Sequence, residues 1–126
     1  MSHPRVMEQL DREHAELVVR LDVFARRLFG AEGRDEAADD LRRLIIDIGM
    51  HFGFEESLME DGGYAGFEHH RRQHLGIMTE FGLLLDRVES GDDPAAVARG
   101  TDWLAHWYRE HVAQSDKALL DWLASG

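Results

Sequence analysis

The chain has 126 residues, no cysteine and a formal net charge of −11. That length suits one domain around one core, and the missing cysteines exclude disulfides, thiolate metal sites and thiol catalysis. The acidity argues against a nucleic-acid or anionic-membrane partner, and no run of about 18 apolar residues is present to span a bilayer.

The N-terminal stretch, Met1 to Arg5, lacks the charged-then-apolar layout of a signal peptide, so a cytoplasmic protein is expected. Four segments then follow with helical periodicity, each with one seam at alternating three- and four-residue spacing. The first seam is Met7, Leu10, His14, Leu17, Leu21, Phe24 and Leu28, ended by Gly30 and Gly33. The second is Ala37, Leu41, Leu44, Ile48, His51, Glu55 and Leu58, ended by Gly62 and Gly63. The third runs Phe67, His70, His74, Ile77, Phe81, Leu84 and Val88, closing at Ser90 and Gly91. The fourth opens with Asp93 as N-cap and Pro94 at the first helical position. Its seam is Val97, Thr101, Leu104, Tyr108, His111 and Ser115, and less cleanly Leu119 and Trp122. Long helices with short loops predict an all-α, up-down-up-down antiparallel four-helix bundle.

The polar members of those seams carry the functional information. His14, His51, Glu55, His70, His74 and His111 all fall where the interior should be, and a buried His or Glu is costly unless paired or metal-bound. One such histidine would ordinarily be a satisfied core residue; six together need a common cause. Counted from the loops, each lies at a matching height, so antiparallel packing at about 1.5 Å per residue puts them in one layer, within about a turn. Asp116 is the awkward member. Five residues after His111, it points about 140° away on a regular helix; it reaches the layer either through a local widening of the helix or as a carboxylate leaning in from the adjoining face, and a π-type irregularity between the two is predicted.

Five imidazoles and two carboxylates exceed the four ligands of one zinc, and calcium or magnesium would want oxygen throughout. Imidazole with bridging carboxylate favours a pair of six-coordinate ions such as iron or manganese. Three histidines on one ion and two on the other would leave one position free for a small exogenous molecule.

Several motifs, taken together, resemble the hemerythrin family, its bacterial branch in particular. They are Asp11-Arg12-Glu13-His14, the run from His51 and Phe52 through Glu55, Glu56 and Met59 to Tyr64, His70 with His74, and Trp107, His111 and Asp116. The match runs in order over nearly the whole chain, and implies one hemerythrin-like domain over residues 1–126. The resemblance implies two non-haem Fe ions with an oxo or hydroxo bridge, His70, His74 and His111 holding one and His14 and His51 the other. By the same resemblance Glu55 and Asp116 would bridge both. It further implies reversible O2 binding at the two-histidine iron, for oxygen storage, delivery or buffering. The resemblance also implies NO and small anions such as azide as further ligands.

The alternatives are a di-iron enzyme (peroxidase, iron oxidase or nitric-oxide handling) on the same site, or an O2- or redox-sensing interaction module. Tyr108 is the nearest protic candidate for the former, because the seams offer no spare carboxylic acid. A non-enzymatic protein, monomeric or weakly homo-oligomeric, is the expectation. Only 13 residues precede His14, fewer than the N-terminal arm that the resemblance leads one to expect, which predicts faster autoxidation or pairing of two copies over that end.

The remaining features have simpler readings. Gly49, Gly53, Gly76 and Gly82 suggest close helix packing or a path for O2. His3, His69 and His106 fall off the seams and read as surface or supporting residues. Asp11 reads as a partner for a ligand imidazole or as an ordinary helix charge. Trp103, Trp107, Tyr108 and Trp122 read as core and rim aromatics, with Trp107 near the metals.

Overall fold

A computed structural model describes residues 4–27 and 33–125. Leu28, Gly30 and His3 lie outside the described residues. Helix α1 spans Pro4–Arg27, α2 Arg34–Gly62, α3 Phe67–Glu89 and α4 Pro94–His111. A π-helical turn, Val112–Asp116, carries the last rod into α5, Lys117–Ser125. α1 packs on α2 and α4, and α3 packs on the same two, so four rods close a ring. This is the bundle that the seams predict, with no strand among the described residues.

Local chemistry sets where the rods stop. Gly63 takes a left-handed φ of 68° after α2, and the Tyr64 N–H then donates to Met59 O at 2.9 Å. Gly91 does the same after α3 with φ 73°, and the Asp92 N–H reaches back to Arg87 O at 3.0 Å. Both are glycine-terminated ends that satisfy carbonyls the helix leaves free. Asp93 accepts from the Ala95 N–H at 3.3 Å, with Pro94 opening α4. No described helix is long and apolar enough to cross a membrane.

The core is in two parts. A large cluster, from Leu17, Leu21 and Phe24 of α1 to Leu104 and Tyr108 of α4, fills one end of the bundle. A smaller one, Leu10, Met59, Leu119 and Leu123, plugs the other. Along every rod the seam passes from one cluster to the other through the polar positions: Leu10, His14, Leu17 in α1, and Phe81, Ile77, His74, His70 in α3. The polar layer is therefore sealed by hydrocarbon above and below.

The glycines divide differently from either expectation. A Cβ on Gly76 would come 3.0 Å from Trp107 Cη2, which is close packing, while one on Gly49 would make ordinary contact with Met78 at 3.5 Å. Gly53 and Gly82 are exposed and a Cβ there would meet nothing within 4 Å. They neither admit a neighbour nor open a path inward. Gly62, by contrast, would drive a Cβ into the Trp122 ring at Cη2. We therefore expect Gly53→Ala to stabilise the chain by about 1 kcal/mol through helix propensity. Gly62→Ala should lose about 1–3 kcal/mol to overpacking. Urea unfolding of the two variants checks the opposite signs.

Candidate metal centre

Each rod delivers its polar residues by its own periodicity. His14 comes from α1, His51 and Glu55 from successive turns of α2, His70 and His74 from successive turns of α3, and His111 from the end of α4. All six are at most 4 % exposed. Asp116, only 1 % exposed, joins them because the π turn inserts one extra residue. The seam shifts accordingly: Ser115 is half-buried while Asp116, Leu119 and Leu123 face inward, and Trp122 moves to the rim. In α2 likewise the buried end of the stripe is Met59, with Leu58 half-buried.

The seven side chains form two overlapping groups. Donor atoms of Glu55, His70, His74, His111 and Asp116 all lie within 4.8 Å of one another, and so do those of His14, His51, Glu55 and Asp116. The two carboxylates belong to both. His70 Nε2 is 2.8 Å from Asp116 Oδ1, His111 Nε2 is 3.1 Å from it, and His74 Nε2 is 3.0 Å from Glu55 Oε1. His14 Nε2 stands 2.9 Å from Glu55 Oε2 and 3.0 Å from Asp116 Oδ2. Adjacent ligands of a six-coordinate ion with bonds of about 2.1 Å are separated by about 3 Å.

Short separation is not the same as hydrogen bonding here. Nε2 of His51, His70, His74 and His111, Oε1 of Glu55 and both oxygens of Asp116 are buried with no hydrogen-bond partner. Their lone pairs converge on shared space without aligning on one another. Orphaned buried polar atoms are rare and costly, and so many converging at one level is the arrangement that a pair of cations satisfies. The donor set fits metal.

A second layer fixes which ring nitrogen faces inward. His51 Nδ1 donates to Glu13 Oε1 at 2.6 Å, His74 Nδ1 to Glu56 Oε2 at 3.0 Å, and His111 Nδ1 to Gln73 Oε1 at 2.8 Å. Ser115 Oγ donates to the same Gln73 oxygen. Because each partner is an acceptor, Nδ1 must carry the proton, which leaves Nε2 as a free donor for metal. Sequence reasoning did not single out Glu13, Glu56, Gln73 or Ser115 for this work. The signal available was that each adjoins a seam residue, or stands on the seam, while being polar. Asp11 is exposed, and the acidic partner in α1 is Glu13. His69 and His106 are exposed, as expected. Trp107 packs with Trp103, at 5.3 Å between centroids, over Gly76, and against the large apolar cluster.

Electrostatics follow from placing two carboxylates among imidazoles out of water. Burial works to lower the His14 and His70 values, but the close approach and negative charge of Asp116 and Glu55 outweigh it, raising them to about 10 and about 9. Burial would raise Glu55 and Asp116, yet the surrounding histidines hold both below the usual carboxylate range. Burial wins at His111, which is pushed down and stays neutral. Tyr108 is pushed up by burial and by the charges of Asp116, Glu55 and Glu13. Phe52 lies flat on His74, centroids 3.8 Å apart and planes within 5°, and walls the three-histidine side.

Comparison with known proteins agrees with this geometry. The family model of the hemerythrin HHE cation binding domain matches residues 5–123. A bacteriohemerythrin of Pseudomonas paraeruginosa (strain DSM 24068 / PA7) is 25% identical over 117 residues, covering 91% of this chain and 73% of the relative. One from Stenotrophomonas maltophilia (strain R551-3) is 29% identical over 120 residues, 94% of this chain and 69% of the relative. Hemerythrin subunit 2 of Golfingia vulgaris is 33% identical over 84 residues, 67% of this chain and 62% of the relative. No solved structure matches.

The raised histidines have a consequence for the chain stripped of metal. Folded values of about 10 and about 9 for His14 and His70 stand above an unfolded value of about 6.5. Their stabilising contribution is thus complete below about pH 6.5 and is lost as pH rises through 9 to 10. We expect the thermal midpoint of the chelated chain to fall across that window. The metal-loaded chain, whose ions displace those protons, should not follow it. A chelated midpoint that climbs with pH would contradict the protonated cluster.

Proposed function

The chain belongs to the hemerythrin family, and on that basis we propose that it binds O2 reversibly at a non-haem di-iron centre. The observation that carries the reading is the pair of overlapping donor groups, three histidines in one and two in the other, sharing Glu55 and Asp116. His70, His74 and His111 would hold one ion and His14 and His51 the other, with Glu55 and Asp116 serving both and solvent supplying an oxo or hydroxo group. The second group offers one protein donor fewer than the first, and that unfilled position is where a small molecule would enter. When bound, the irons supply the reversible electron donation to O2 that no side chain offers.

The chain's own residues make the position selective. Leu10 and Leu17 flank His14 one turn to each side and are both buried, so hydrocarbon slows entry of water and protons. Glu13, Glu56 and Gln73 hold the Nδ1 protons outward and away from the centre. Imidazole-rich ligation favours the ferrous state over the high-valent chemistry of carboxylate-rich sites. Among the described residues the buried polar side chains are the seven of this layer, Thr101 and the phenol of Tyr108. No further buried carboxyl stands ready as a general acid, which favours a carrier over an oxidase or peroxidase.

Two measurements test the reading. Protein loaded anaerobically with Fe(II) should hold two irons per chain and develop a visible charge-transfer band with O2 that disappears on its removal, over repeated cycles. Rapid one-way conversion to the diferric form would shift the assignment to an enzyme. Removing the acceptor behind His51 with Glu13→Ala should weaken iron retention by about 10- to 100-fold, measured by competition with a chelator.

A further inference from the structure

Tyr108 is 1 % exposed, yet its hydroxyl has no hydrogen-bond partner in the chain. Buried tyrosines ordinarily pair the O–H, because an unpaired one carries its full desolvation cost. Thr101, the other buried hydroxyl of α4, shows the usual solution and donates to Val97 O at 2.8 Å. Tyr108 has no such outlet.

Its position says what could accept. Tyr108 stands one turn before His111 on the same buried stripe of α4. Its ring is 6.2 Å from Phe52, which itself covers His74. Glu55, Asp116 and Glu13 are all close enough for their charges to act on the phenol, and Glu13 is the partner of His51. Phe52 also lies 6.0 Å from the ring of His51, a member of the two-histidine group, the one short of a donor. The outward nitrogens of His51, His74 and His111 are already committed to Glu13, Glu56 and Gln73.

We propose that the Tyr108 hydroxyl donates a hydrogen bond to the small lone-pair-bearing ligand held at the unfilled iron position, and so helps decide which such molecules the centre retains. This rests on the di-iron reading above. A phenol there favours ligands whose outer atom gathers negative charge when bound, small anions and O2 alike, over neutral ones that cannot accept.

The test is azide binding to the iron-loaded, fully oxidised protein and to its Tyr108→Phe variant, which keeps the ring and removes only the donor. The wild type should bind azide about tenfold more tightly, the size expected for one hydrogen bond to a charged acceptor. The azide stretching vibration should shift between H2O and D2O in the wild type and not in the variant. Without azide, the loaded variant should melt at the same or a higher temperature, since it loses an unpaired hydroxyl. Equal azide affinities, or a D2O shift surviving in the variant, would overturn the proposal. A clear fall in the variant's melting temperature would also overturn it, by revealing a partner within the protein. A wild-type protein that holds no iron, or holds it without binding azide, sinks the underlying di-iron reading and this inference with it.

Discussion

Burying two carboxylates and five imidazoles at one level in hydrocarbon is the constraint around which this bundle is arranged. Each of those groups is nearly out of reach of solvent, and an ionised carboxylate moved out of water costs several kcal/mol even after relaxation. Protein hydrogen bonds do not repair the deficit, because most of the inward-facing atoms lack them. Cations or protons must do so. The two compete for the same lone pairs, so the folded bundle is poised between a protonated and a metal-bound form. The apolar clusters on either side raise the stakes by keeping the local dielectric low.

Most of the fold was readable because helical seams are long-range patterns that tolerate local error. Leu17, Leu21 and Phe24 on α1 and Ile77, Phe81, Leu84 and Val88 on α3 are buried as their spacing requires. The polar layer was readable for the same reason: His14, His51, Glu55, His70, His74 and His111 keep the phase of the stripes they interrupt. Asp116 was legible only as a violation. Its offset from His111 breaks the period, and a π turn is the one backbone change that restores it. Where the period was continued mechanically, the wrong neighbours followed, with Ser115 and Trp122 standing in for Asp116 and Leu123.

The supporting layer was not readable, and the reason is geometric. Glu13, Glu56 and Gln73 sit about 100° round their helices from the seam, where polar residues are the default and adjacency to a seam residue is only a weak signal. Each serves a histidine of a different rod: Glu13 on α1 holds His51 of α2, Glu56 on α2 holds His74 of α3, and Gln73 on α3 holds His111 of α4. Only a knowledge of which helices are neighbours, and at what rotation, turns an ordinary surface Glu into an anchor. The same limit explains the glycines, whose helix environments differ from tight contact at Gly76 to open space at Gly53.

The extra residue in the last rod reaches beyond the level where it occurs. Everything after it, Leu119 and Leu123 included, is rotated by a fixed increment relative to α4, and those two leucines complete the plug at the far end of the bundle. The screw phase of the final two turns is thereby tied to whether Asp116 points inward. The inward carboxylate and the terminal packing therefore share one mechanical setting.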